Sequence, residues 1–282
     1  MANMMIKKQL RSISLPTRSH PSTSGIEEAL NKVKTINSTK SSSESILTGL
    51  AGLEELYDCT DEFLKMCSTQ RAMSSVGSDF MEEMLDGSLR LMDICSVARD
   101  LMVETQEHVR DLQSCVRRKK VAGGGGDQLD AAVSGYVRFR KNMRKQTKKL
   151  LGSSKSIVGG SSSYDNGHDD DLVAVVDEMR RVVSVSVVVL KSLLEFLSGR
   201  ESNIKSKLAS VLKKKKCSSL EDAKNELEIL DSSIRGDSCS RDDLQEKLEE
   251  VEMIIGGFEK NVEGLFRRLI RTRTSLLNII SH

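Results

Sequence analysis

Both prolines of this 282-residue chain, Pro16 and Pro21, fall within its first 21 residues. Proline lacks the backbone N–H and its ring clashes with the preceding helical turn, so it is the strongest helix breaker. Everything after residue 21 is open to uninterrupted helix, and the sequence predicts an all-α protein. The 3% aromatic content and the absence of Trp leave Leu, Val, Ile and Met to fill the core. They also argue against platforms that stack bases on rings, so nucleic acid is not the expected partner. A chain of this length can bury a sizeable core.

The apolar spacing supports this reading. Ser24-Gly25-Ile26-Glu27 fits a capping box that opens a short amphipathic helix through Ile36, and Ser38 to Ser45 reads as a serine-rich connector. Ile46, Leu50, Leu53, Tyr57, Thr60 and Leu64 then fall at alternating spacings of four and three. From a start near Asp79, the same alternation runs through Met84, Ser88, Leu91, Cys95, Ala98, Met102, Thr105, Val109, Leu112 and Val116. Glycines 123–126 end that helix, and Gln128 to Leu151 forms the next, burying Leu129, Ala132, Tyr136, Phe139, Met143 and Leu150.

The valine-rich stretch from Asp169 to Ser198 has strand propensity. It is expected to be helix, because a lone strand in such a chain would bury unpaired backbone groups. Helix starts are expected at Glu201, Ser219 and Ser240. The last element carries the cleanest seam, Leu244 through Ile279, interrupted only by Thr272. Gly256-Gly257 within it predicts a close helix contact or a kink. The expected architecture is an elongated bundle of long, antiparallel, coiled-coil-like helices over 24–282. A disordered basic arm covers 1–23, and flexible loops fall near 121–127 and 152–168. Intramolecular packing is the simpler use of the seam, and self-association through exposed heptads is the alternative.

Net charge is only +2, yet the arm holds Lys7, Lys8, Arg11 and Arg18 with no acid. Arg11 stands three residues before Ser14, as a basophilic kinase requires, and Ser12, Ser14 and Pro16 complete an Arg-Ser-x-Ser-x-Pro pattern. That spacing is similar to the motif read by 14-3-3 proteins, in which an arginine cluster grips the phosphate. An organelle transit peptide is the rival reading of the arm.

A second basic block joins Arg117, Arg118, Lys119 and Lys120 to Arg138, Arg140, Lys141, Arg144, Lys145, Lys148 and Lys149. On the Gln128–Leu151 helix these cations are expected opposite Tyr136, Phe139 and Met143. Such a face suits anionic lipid, nucleic acid or nuclear import, or an acidic partner helix, or is a solvated face neutralised by the acidic segment from Glu221 to Glu263.

Catalytic and metal-binding patterns are missing. The glycine run is followed by no Gly-Lys-Ser/Thr, the four histidines lie far apart, and the six cysteines form no Cys-x-x-Cys. The thiols read as reduced and mostly buried in a cytosolic or nuclear protein. Asp169-Asp170-Asp171 suits a helix N-terminus without any metal. The longest apolar run, Val182 to Leu190, is too short to span a bilayer. No cofactor and no enzymatic activity are expected.

Several of these stretches resemble the plant-specific BYPASS-like family. They are Arg11 to Pro21, Gly49-Leu50 through Leu56-Tyr57-Asp58, Glu83 to Asp93, Ala98-Arg99-Asp100, Leu112-Gln113-Ser114 before Arg117-Arg118, Leu265 to Arg273, and Ser275 to Asn278. The resemblance implies a helical plant protein of root and shoot development, with no catalytic residues to carry over. Together with the arm it leads to the expected function, a non-enzymatic adaptor or scaffold gated by phosphorylation at Ser14. The alternative is a peripheral membrane protein that meets anionic lipid through the basic helix.

Overall fold

The structure is a computed structural model that describes residues 24–37, 42–75, 77–122, 126–154, 170–199, 224–235 and 240–281. Arg11, Ser12, Ser14 and Pro16 of the arm, the run Lys213 to Lys216, and the helix starts expected at Glu201 and Ser219 lie outside the described residues. Among the described residues there are eight helices and no strand. They are α1 (Ser24–Asn37), α2 (Ser43–Lys65), α3 (Cys67–Ser75), α4 (Ser78–Ala122), α5 (Gly126–Ser154), α6 (Asp170–Ser198), α7 (Glu226–Arg235) and α8 (Arg241–Ser281). The valine-rich segment is helical, as expected. At 1.5 Å per residue, α4 is about 67 Å long and α8 about 61 Å, which makes the bundle elongated.

Helix ends follow local chemistry. Ser42 accepts the Ser45 amide at 3.2 Å and caps α2, and Ser240 accepts the Asp243 amide at 3.1 Å and caps α8. At α7, Asn225 and Glu228 form a reciprocal capping box. The Glu228 amide donates to Asn225 Oδ1 at 2.8 Å, and the Asn225 amide donates to a Glu228 carboxylate oxygen at 3.1 Å.

One hydrophobic cluster runs from Ile26 in α1 to Ile279 in α8. Every residue of the predicted α2 and α4 stripes is buried, Ser88 and Thr105 included. The α8 seam is buried from Leu248 to Ile279, with Leu244 half-buried. It faces other helices of the same chain and forms the axis of the bundle. The Gly256-Gly257 pair leaves α8 unbroken, and Gly257 admits its α2 neighbour closely. A Cβ on Gly257 would stand 3.1 Å from Leu47 Cδ2 of α2, and one on Gly256 would stand 3.7 Å from Gln106 Nε2 of α4. Thr272, the residue that interrupts the seam, lines a small cavity of about 20 Å³ with Tyr57, Thr60 and Ser88.

Cross-helix bonds fix the directions. Gln106–Glu259, Arg110–Glu252 and Arg117–Glu249 pair ascending positions of α4 with descending ones of α8, so these two are antiparallel. α2 and α8 run parallel, because Asn261 bonds the Leu47 carbonyl, Arg268 meets Glu54, and Ser275 bonds Asp61, at a near-constant offset. Long α-helical connections allow such parallel neighbours beside the expected antiparallel ones.

α1 packs on α2 and α6. Beneath it lies Glu178 of α6, 3% exposed, with Oε2 accepting from Arg181 at 2.6 Å and Oε1 without a partner among the described residues. Burial pushes this carboxyl above its ordinary range, against the Arg181 charge; Glu27 of α1 adds to the rise and Lys34 opposes it. The folded state therefore holds the proton more tightly than the unfolded chain, and stability is lost as pH rises through the folded pKa. Glu178→Gln is expected to raise the thermal midpoint at pH 7, with the gain shrinking toward about pH 4, near the unfolded carboxyl pKa. Melting curves across that range decide it, and a variant less stable than wild type at pH 7 would refute the assignment.

Candidate functional site

The 3.6-residue period of α5 separates two faces. Tyr136, Phe139, Met143 and Thr147 are buried against α4 and α6, and Phe139 stacks on His108 of α4 with ring centroids 4.7 Å apart. At about 100° per residue, Arg138, Lys141, Lys145, Lys148 and Lys149 fall within an arc of about 100° on the opposite side. All five are exposed. The only acids of α5 are Asp127 and Asp130 in its first turns.

Arg140 does not belong to this face. It stands four residues after Tyr136 and three before Met143, which turns it inward, and it is 1% exposed. Its Nε donates to Asp231 Oδ1 at 3.0 Å and its Nη2 to Oδ2 at 3.0 Å. Tyr136 adds a hydroxyl bond to Asp231 Oδ1 at 2.9 Å, and Arg144, one turn on and half-buried, reaches Oδ2 at 2.6 Å. Burial pushes the Tyr136 phenol well above its ordinary pKa, so it remains a donor.

This cluster closes the C-terminus of α6, where the last four carbonyls lack intrahelical donors. Arg140 donates to the Leu197 carbonyl and Arg144 to that of Ser198. Asn225 takes the Phe196 carbonyl at 3.0 Å, and the amide of Gly199 takes that of Glu195 at 3.1 Å. Gly199 sits at φ 72°, the left-handed turn that glycine adopts without strain. Two cations of the expected basic face are thus structural, complementing the helix dipole and fastening α7 to α5 and α6.

The rest of the basic block divides as well. Cys115 of α4 approaches the Gln128 carbonyl at the start of α5, which puts Arg117 and Arg118 about 18–36 Å along the axis from Arg138 to Lys149. Arg117 pairs with Glu249 at 3.3 Å, and Arg118 bonds the Ser114 carbonyl of its own helix. Lys119 and Lys120 belong to α4, but their side chains lie outside those described. At the α4 end of the block the acidic segment thus pairs with Arg117. Arg138, Lys141, Lys145 and Lys149 take part in no ion pair among the described residues.

Sequence reasoning missed the internal work of the α8 arginines. Arg268 bridges Glu54 at 2.6 Å and Asp58 at 2.9 Å, Arg271 reaches Asp58 at 3.2 Å, and Arg273 bonds Ser88 Oγ at 3.0 Å. The pairing partners lie about 185–214 positions away. Of the four described thiols, Cys95 and Cys115 are buried, Cys59 is half-buried and Cys67 is exposed; burial pushes Cys95 up to about 12. Among the described residues no group of three or more His, Cys, Asp or Glu could hold a metal, and no helix is long and apolar enough to cross a membrane.

The described residues define a class: a helical protein with a continuous core, internally paired arginines and a cationic outer face on α5. The family model described as Protein BPS1 matches residues 49–279, and the chain belongs to that plant BYPASS-like family. The match runs from within α2 to within the last turn of α8 and takes in all of α5, α6 and α7, the helices that build the α6 closure and the cationic face. No curated protein and no solved structure matches the chain.

Proposed function

We propose that this chain is a non-enzymatic scaffold of plant development that works by contact. The outer face of α5 is its docking surface for an anionic partner, and the Arg11–Pro21 arm is a second contact gated by phosphate on Ser14. The observation that carries the reading is the contrast in charge use. Arg110, Arg117, Arg268 and Arg271 are bound to carboxylates of neighbouring helices, whereas Arg138, Lys141, Lys145 and Lys149 have no such partner among the described residues. Family membership supports the developmental setting, and the Arg11-to-Ser14 spacing supports recruitment of a 14-3-3 protein by the arm.

Proximity labelling in root cells tests it, with wild type compared to Ser14→Ala and to a variant carrying Arg138→Gln, Lys141→Gln, Lys145→Gln and Lys149→Gln. Each variant is expected to lose a different subset of neighbours. Identical neighbour sets for all three proteins would overturn the reading.

A further inference from the structure

We infer that the surface recognised by the outer face of α5 is an anionic phospholipid bilayer. The inference rests on the reading of that face as a docking surface and names its partner class. Five cations, Arg138, Lys141, Lys145, Lys148 and Lys149, line one side of α5. From Arg138 to Lys149 the row covers about 17 Å at 1.5 Å per residue. The opposite side of α5 is packed on α4 and α6, so the row is on the outside of the bundle.

The residue types decide between partners. Four of the five cations are lysines. Lysine is a compact, strongly hydrated point charge, suited to a diffuse field of phosphates, whereas arginine is the residue of planar, bidentate recognition. Protein interfaces are depleted in lysine at their centres and anchored by buried aromatic or arginine side chains. Beside this row the exposed large apolar residue of α5 is Val137, and Tyr136 and Phe139 point into the core. Among the described residues of this face, bases therefore find no ring to stack on. A row of flexible ammonium groups with no deep anchor fits a laterally mobile layer of anionic headgroups, which can rearrange to meet it. The attachment is peripheral and electrostatic, and so it weakens with salt.

The test uses the full chain in flotation with vesicles of phosphatidylserine and phosphatidylcholine, and with phosphatidylcholine alone, at about 0.1 M salt. Wild type is expected to float with the anionic vesicles only, and to be released as salt rises. Each neutralised cation lowers the partition coefficient about fivefold, so the fourfold α5 glutamine variant is expected to lose about two to three orders of magnitude. A charge-matched control carries Lys65→Gln, Lys191→Gln, Lys260→Gln and Arg267→Gln, four cations exposed on other helices. It is expected to keep most of the binding, and circular dichroism checks that both variants stay helical. The inference is overturned if wild type does not bind, if it binds neutral vesicles equally, or if both variants lose binding alike. Tighter salt-dependent binding to duplex DNA than to vesicles also overturns it. If vesicle binding fails while the α5 variant still loses neighbours in cells, the docking face stands and only the lipid assignment falls.

Discussion

Replacing Asp231 by alanine is expected to cost about 3–5 kcal/mol of folding stability, because it leaves the Arg140 guanidinium buried without its counter-charge. Asp231 is 5% exposed and accepts from Tyr136, Arg140 and Arg144 together. Its loss strands a cation that no other described carboxylate reaches, and it removes the bonds that hold α7 against α5. The double change Arg140→Met with Asp231→Leu is expected to recover most of the loss, since a packed apolar pair of similar size carries no desolvation penalty. Chemical denaturation of the two variants beside wild type measures both effects. A cost below about 1 kcal/mol for the single change would show that water reaches Arg140 and that the closure of α6 is not a buried node.

The long stripes were legible because spacing alone encodes them. Residues four and three apart share a helical face whatever the partner is, and Met84 to Val116 and Leu248 to Ile279 are buried accordingly. The end of α4 at Ala122 and the start of α5 at Gly126 were legible for a similar local reason, since the intervening run of glycines favours no helix.

Long-range features were not legible. Nothing in α2 alone says that it runs parallel to α8, and the Arg268–Glu54 pair spans 214 positions. The nine-residue α3, Cys67–Ser75, has too few turns to show a stripe. The Asn225–Glu228 box is a strong local signal that was available in the sequence, although α7 buries only Leu227, Leu230 and Asp231 behind it. Arg140 was misplaced because charge was read by residue type. Counted by angle, a residue four after Tyr136 and three before Met143 is turned inward, and an arginine there calls for a buried acid. The cationic face survives that correction with Arg138, Lys141, Lys145, Lys148 and Lys149, all of which count to the outside.

Phe258→Ala is expected to destabilise the protein by about 3–5 kcal/mol, the range for removing a large side chain from a packed core. Phe258 is fully buried in the middle of α8 and meets Phe196 of α6 edge-on, with centroids 5.1 Å apart. It follows directly after Gly257, where the missing side chain lets Leu47 close in from α2. Helices held this near cannot collapse further into the space that alanine would leave, so the cavity persists and the cost stays high. Phe196 lies one residue before Leu197, whose carbonyl Arg140 caps, so the aromatic pair also braces the end of α6. A double-mutant cycle over Phe258→Ala and Phe196→Ala separates the parts. The expected coupling is about 0.5–1.5 kcal/mol, the magnitude of an edge-to-face pair beyond simple burial. Strictly additive losses would show that the two rings fill space independently and that α6 and α8 are joined by burial alone.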